Sequence, residues 1–123
     1  LRPIKKAFKN NQSYYWVITE QPNPQMIGSI CLWNFSEDRK YAEVGYDLSP
    51  QFQGKGMMTE ALQSVLNFGF QHLHLHSIEA FTHHQNENSK KLLKINGFQL
   101  IKGKKDEDNL DNIIYEIKRI PLN

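Results

Sequence analysis

The chain has a single cysteine, Cys31, among 123 residues, so no internal disulfide can form and a reducing compartment is expected. No apolar run reaches the ~18 residues that a membrane-crossing helix needs. The opening LRPIKKAFKN has no apolar stretch of the kind a secretory leader carries. These absences give the expectation of a cytoplasmic protein without membrane contact. Excess charge of one sign is also missing. The formal net charge is +2, and the basic residues fall in short runs at Lys5–Lys6, Lys90–Lys91 and Lys102–Lys105. They form no continuous stripe, so direct nucleic-acid binding is not expected; the runs are solvated faces that still favour an anionic ligand.

What is present suits one folded domain over residues 1–123. Hydrophobic residues make up 39% of the chain and charged residues 23%, a balance that argues against disorder or a fibrous repeat. YYWVITE (Tyr14 to Glu20) is predicted as a strand from its aromatic and β-branched content, with a turn at Pro22 to Pro24 and a second strand at MIGSICLWNF, making a hairpin. YAEVGYDLS alternates, placing Ala42, Val44, Tyr46 and Leu48 on one face and Tyr41, Glu43, Gly45 and Asp47 on the other. From Met57 the period changes. Met58, Leu62, Val65, Leu66, Phe70 and Leu73 describe one helix with a buried stripe. SIEAFTH (Ser77 to His83) then suits a parallel strand reached through that helix. Asn86 to Asn96 reads as a second helix with Leu92 and Leu93 inward, ended by Gly97, and GFQLI and NIIYEIKRI follow as strands. The order β-β-β-α-β-α-β-β predicts an α/β fold, a mixed sheet flanked by helices.

The stretch QFQGKGMMTEAL joins a strand to a helix through two glycines. Gly54 and Gly56 permit backbone angles that a side chain would penalise, and the unpaired N–H groups at the helix start face the same turn. That combination makes an anion site or a tight structural corner, with Lys55 able to add a point charge. Walker A spacing is absent, and Thr59 stands where a dinucleotide fingerprint needs its third small residue.

The string QFQGKG resembles the Q/RxxGxG/A motif of the GNAT superfamily of N-acetyltransferases. The resemblance continues through AEVGYDLSP, MTEAL, IEA, NENS, NGF and NIIYEI, and is strongest to the branch that acetylates the N-terminal amine of ribosomal proteins. It implies the GNAT fold and acetyl-CoA as cosubstrate, without a metal. It also implies pyrophosphate binding by the backbone of Gln53, Gly54, Lys55, Gly56, Met57, Met58 and Thr59, with Gln51 shaping the turn. The strand of Tyr46 and Leu48 would splay from that of Ile78 and Ala80 to receive the pantetheine arm, Asn86 would contact the pantetheine or thiol end of the cofactor, and Ser89, one turn further along the same helix, would join the cofactor-binding residues.

Acetyl transfer needs a neutral amine, and related enzymes often place a base on the strand entering the cofactor loop; there Glu43 is the candidate, with Glu79 second. Many members carry a tyrosine acid seven residues after the matched Asn, but Leu93 cannot donate; Ser89 is the alternative donor. The implied acceptor is a primary amine, such as a protein N-terminus. A polyamine or aminoglycoside is the alternative, and a non-catalytic CoA-binding fragment the competing class. His72, His74, His76, His83 and His84 are expected as surface or partly packed imidazoles, and Trp16 and Trp33 as sheet packing. Family members usually have more chain before the hairpin, so the N-terminal acceptor half is expected to be missing, with LRPIKKAFKN the tail of its last helix. A homodimer or strand exchange would then cover an exposed sheet edge.

Overall fold

The computed structural model describes residues 4–9, 13–20 and 23–120, with side-chain surroundings for 13–20 and 25–120. Among these residues seven strands form one sheet: β1 (Ile4–Lys9), β2 (Tyr14–Glu20), β3 (Asn23–Trp33), β4 (Tyr41–Leu48), β5 (Ser77–His83), β6 (Gln99–Leu100) and β7 (Asn112–Lys118). Their order across the sheet is β1-β2-β3-β4-β5-β7-β6. All neighbours are antiparallel except β4 and β5, which are joined by helix α1 (Met57–Asn67). Helix α2 (Glu87–Ile95) connects β5 to β6. The mixed α/β sheet expected from the sequence is the architecture found. Among the described residues no helix is long and apolar enough to cross a membrane.

The alternation in β4 holds. Ala42, Val44 and Leu48 are buried with Ile30 and Leu32 of β3, Ile78 and Ala80 of β5 and Tyr115 of β7. Met57, Met58, Ala61, Leu62, Val65 and Leu66 of α1 complete that core, together with Leu93 of α2. Both helices therefore cover one face of the sheet. The period of two leaves Cys31, Glu43, Gly45, Asp47, Glu79 and Glu116 on the other.

Four local expectations are corrected. Ile4–Lys9 pairs with β2 as an edge strand rather than closing a helix. The hairpin is tighter than PNP implied, because Asn23 and Pro24 already belong to β3 and Asn23 is paired with Glu20. The helical stripe running to Leu73 breaks after Asn67 into a π-helical turn at Phe68–His72. There Gly69 lies so close to the sheet that a Cβ would come within 3.0 Å of Ile78 Cδ1, while Phe68 packs edge-on against Tyr14 and Trp16 at 5.1 and 5.4 Å. Finally, β6 is shorter than GFQLI. Gly97 (φ 92°) and Phe98 are used to end α2, donating to the carbonyls of Lys94 and Leu93 in a Schellman arrangement.

Candidate functional site

The parallel pairing of β4 with β5 runs from Tyr41–Ser77 to Val44–Ala80 and stops. Beyond it, Gly45–Leu48 remains paired only with β3, and Phe81–His83 only with β7. One side of the β4 backbone is left without a strand partner, and those amides demand other hydrogen bonds. The opening is part of a cavity of about 710 Å³ lined by Tyr46, Leu48, Gly54, Gly56, Asn86 and Ser89, among others. That volume suits a ligand of small-cofactor size.

At its far end the chain turns through Pro50–Phe52 and two left-handed glycines, Gly54 (φ 76°) and Gly56 (φ 82°), into α1. A Cβ at either would meet no atom within 4 Å, so the glycines are required by their φ angles and leave the space above them open. Gly56 is the N-cap residue and no side chain caps this end. The first N–H groups of α1 and its positive dipole end are thus available to an anion. Gln53 braces the turn from inside, its Nε2 donating to the Leu48 carbonyl at 2.8 Å.

The opposite wall is the start of α2. Asn86 caps it, Oδ1 accepting from the Ser89 N–H at 3.0 Å. The Tyr46 and Ser89 hydroxyls lie 2.5 Å apart, joining β4 to α2. Burial raises the Tyr46 phenol above its ordinary value, and the bond to Ser89 offsets part of that rise.

Of the residues singled out from sequence, Tyr46, Leu48, Gln53, Gly54, Gly56, Met58, Thr59, Asn86 and Ser89 line this cavity. Met57 is buried beneath the helix start, so only its backbone can serve. Gln51 and Lys55 are exposed beside the turn, with Lys55 Nζ 5.7 Å from the Phe52 ring centre. Sequence reasoning missed Asp47, Pro50, Asn88, Lys91 and Ile95 as lining residues, and Leu92, expected inward, both packs against the core and lines the cavity. Asn88, Lys91, Leu92 and Ile95 follow three- and four-residue steps along α2, so that spacing held the missing signal. Of the two α2 leucines, Leu93 is the fully buried one (0% exposed).

Glu43 lies on the other face of the sheet, at the closed end of the gap. Its register partner is Glu79, whose own partner is Glu116, so three carboxylates stand in line across β4, β5 and β7. Lys104 pairs with Glu79, and Asn34 Nδ2 donates to Glu43 Oε1 at 3.4 Å. Burial pushes the Glu43 carboxyl above its usual value; the Asn34 bond lowers it and the Glu79 charge raises it further. Trp33, paired with Glu43, is 45% exposed rather than packed into the sheet, whereas Trp16 is buried.

His83, His84 and Asp111 place ligand atoms within 4.8 Å of one another. Yet His83 Nδ1 accepts the Gln85 N–H at 3.0 Å, which leaves its proton on the nitrogen facing Asp111. The two rings stack with their centroids 4.7 Å apart. This bonding opposes a shared metal ion.

The sequence matches the family described as "Acetyltransferase (GNAT) domain" over residues 1–99. It is 34% identical to the uncharacterized N-acetyltransferase p20 of Bacillus licheniformis over 80% of this chain and 56% of that protein. The fold superposes on the ribosomal-protein-S5-alanine acetyltransferase of Vibrio fischeri with a TM-score of 0.76 at 26% identity, covering 88% of this chain and 62% of the other. It is similar also to Mycobacterium smegmatis RimJ, solved in complex with CoA-disulfide, with a TM-score of 0.72 at 25% identity over 87% and 53% of the two chains. The chain spans about half the length of the curated relatives it matches.

Proposed function

This chain belongs to the acetyltransferase (GNAT) family, and from that premise we propose that it transfers the acetyl group of acetyl-CoA to a primary amine, with a protein N-terminus as the acceptor. The observation that carries the reading is the alignment of one cavity with two kinds of unpaired backbone. The gap beside Gly45–Leu48 opens onto the uncapped start of α1 at Gly54 and Gly56. The N–H groups of the turn and first helical residues suit a pyrophosphate, and the free β4 edge suits the amides of a pantetheine arm.

Glu43 takes the proton from the acceptor ammonium, directly or through water, because only the neutral amine has the lone pair that attacks a thioester. Its raised pKa keeps it a stronger base than an exposed carboxylate. Backbone N–H groups bordering the gap stabilise the oxygen that gains charge during attack. The likeness to the Vibrio fischeri S5-alanine enzyme supports an N-terminal acceptor. The in-line carboxylates Glu43, Glu79 and Glu116 favour a second reading, a small polycationic amine held on the open sheet face.

Thiol release from acetyl-CoA, measured with panels of peptides and small amines, tests the activity and separates the two acceptors. Coenzyme binding without thiol release in any mixture would remove the enzyme reading. Gly56→Val and Gly56→Asn test the cradle: asparagine tolerates the left-handed backbone but projects into the open space. Both variants should lose acetyl-CoA affinity, and a folded Gly56→Asn with unaltered affinity would contradict the anion site.

A further inference from the structure

We infer that the Trp33 indole is the surface on which the acceptor's first peptide unit lies, with Nε1–H donating to that unit's carbonyl while the terminal amine is held at Glu43. This rests on the acyl-transfer reading above. It gives the N-terminal acceptor of that reading a recognising residue, in place of the sheet packing expected of Trp33 from the sequence.

Trp33 ends β3 as the register partner of Glu43, so both side chains stand on the face of the sheet away from the helices. Directly opposed residues of an antiparallel pair hold their Cβ atoms roughly 5 Å apart. The indole does not rise straight from that spot. A Cβ at Gly45, two residues further along β4, would come 3.7 Å from Trp33 Nε1 and 3.3 Å from Cys31 Sγ. The ring therefore leans along the strand with its N–H edge beside the glycine, next to space that a side chain there would take. Gly45 is the first β4 residue beyond the last pair with β5, Val44–Ala80, so this edge lies where the gap begins.

Two aromatic rings border the base. Tyr41, two residues before Glu43 on the same face, is 47% exposed and meets His76 edge-on with ring centroids 6.1 Å apart. Trp33, with a similar share of its surface open, stands across the strand pair. Large exposed rings beside a half-buried carboxylate are the composition of a recognition surface. The chemistry of the indole then selects the ligand. Its N–H only donates, so it recognises a carbonyl and not an amine. In a protein N-terminus only Cα separates the amine from the first carbonyl, so one residue reaches Glu43 and Trp33 together while its planar peptide group stacks on the ring. A polyamine has the charge that Glu43 and Glu79 attract but no carbonyl. Trp33 thus separates the two acceptors.

The chain has two tryptophans, and Trp16 is buried against Phe68, so a change of emission on adding an acceptor reports Trp33. The probes are an alanine tetrapeptide with a free N-terminus and putrescine, each added to the chain with coenzyme A bound. The peptide should shift the emission to saturation, and the shift should be absent in Trp33→Phe. In thiol release, Trp33→Ala should raise KM for the peptide roughly thirtyfold. Trp33→Phe, which keeps a ring but loses the N–H, should raise it roughly three- to tenfold. Acetyl-CoA affinity by calorimetry should stay constant in both, and the ratio of kcat/KM for peptide over putrescine should fall in step. If Trp33→Ala does not fold, Trp33→Phe and the wild-type emission still decide. An emission unmoved at peptide concentrations that support turnover, an unchanged peptide KM, or equal losses for peptide and putrescine would each overturn the assignment and leave the transferase reading intact. So would turnover of putrescine without turnover of the peptide. Coenzyme binding with no thiol release from any acceptor would overturn both.

Discussion

The base role proposed for Glu43 and its half-buried place in the sheet pull in opposite directions. A carboxyl held above its ordinary pKa binds its proton more tightly in the folded than in the unfolded state, so its contribution to stability declines as pH rises from the ordinary carboxyl range through the raised value. Glu43→Gln should therefore melt higher than wild type at neutral pH, with the difference closing near about pH 4, as followed by circular dichroism. The same substitution should lower thiol release by roughly a hundredfold or more while acetyl-CoA affinity stays constant. Wild-type activity should fall as pH drops through the raised Glu43 pKa, since a protonated base cannot accept a proton. An unchanged rate in Glu43→Gln would remove it as the base. Its placement was legible because β4 alternates cleanly. The Asn34 bond was not, since it depends on a left-handed Asn34 (φ 53°) in the loop after β3.

Elements rather than residues decide how firmly the cavity is walled. Asn86→Ala removes the cap of α2 and should cost about 1 kcal/mol of stability in denaturant titration, while also loosening Ser89. Gly69→Ala forces a methyl against Ile78, Leu75 and Leu32 and should destabilise by about 1–3 kcal/mol in the same measurement. The contrast between these elements shows what the sequence carries. The bounds of α2 were readable from Asn86 and Gly97, because capping and the left-handed turn are local chemistry. The π turn was not, because the close approach of Gly69 to Ile78 of β5 and Leu32 of β3 depends on how the helix sits on the sheet. The same holds for Tyr46: its strand was evident, but only the packing of α2 over β4 shows that its hydroxyl meets Ser89.

Across the whole molecule, one core shared by the sheet and both helices predicts a single cooperative unfolding transition, with coincident fluorescence and circular-dichroism curves. Acetyl-CoA at about 100 times its Kd should add about 2.7 kcal/mol of stability by mass action and raise Tm accordingly, an increase that Gly56→Asn should largely abolish. From β2 to β5 the strand order follows from the hairpins and the α1 crossover, whereas the insertion of β7 between β5 and β6 was not legible in the sequence. The edge position of Ile4–Lys9 was not legible either, because its run of lysines carries no alternating apolar signal.

Among the described residues the four pairs between β4 and β5 are the sheet's only parallel contact, and they join two ribbons, β1–β4 and β5–β7–β6, that are otherwise each stitched by antiparallel neighbours. Mechanically the sheet is a garment with a short seam. An arm laid in the open length beyond Val44 and Ala80 would bond to the ribbon it touches and continue the stitching, so the cosubstrate would serve as a structural member as well as a donor. Amide exchange along Gly45–Leu48 and Phe81–His83 should then slow together when the coenzyme binds, and quicken together when it leaves.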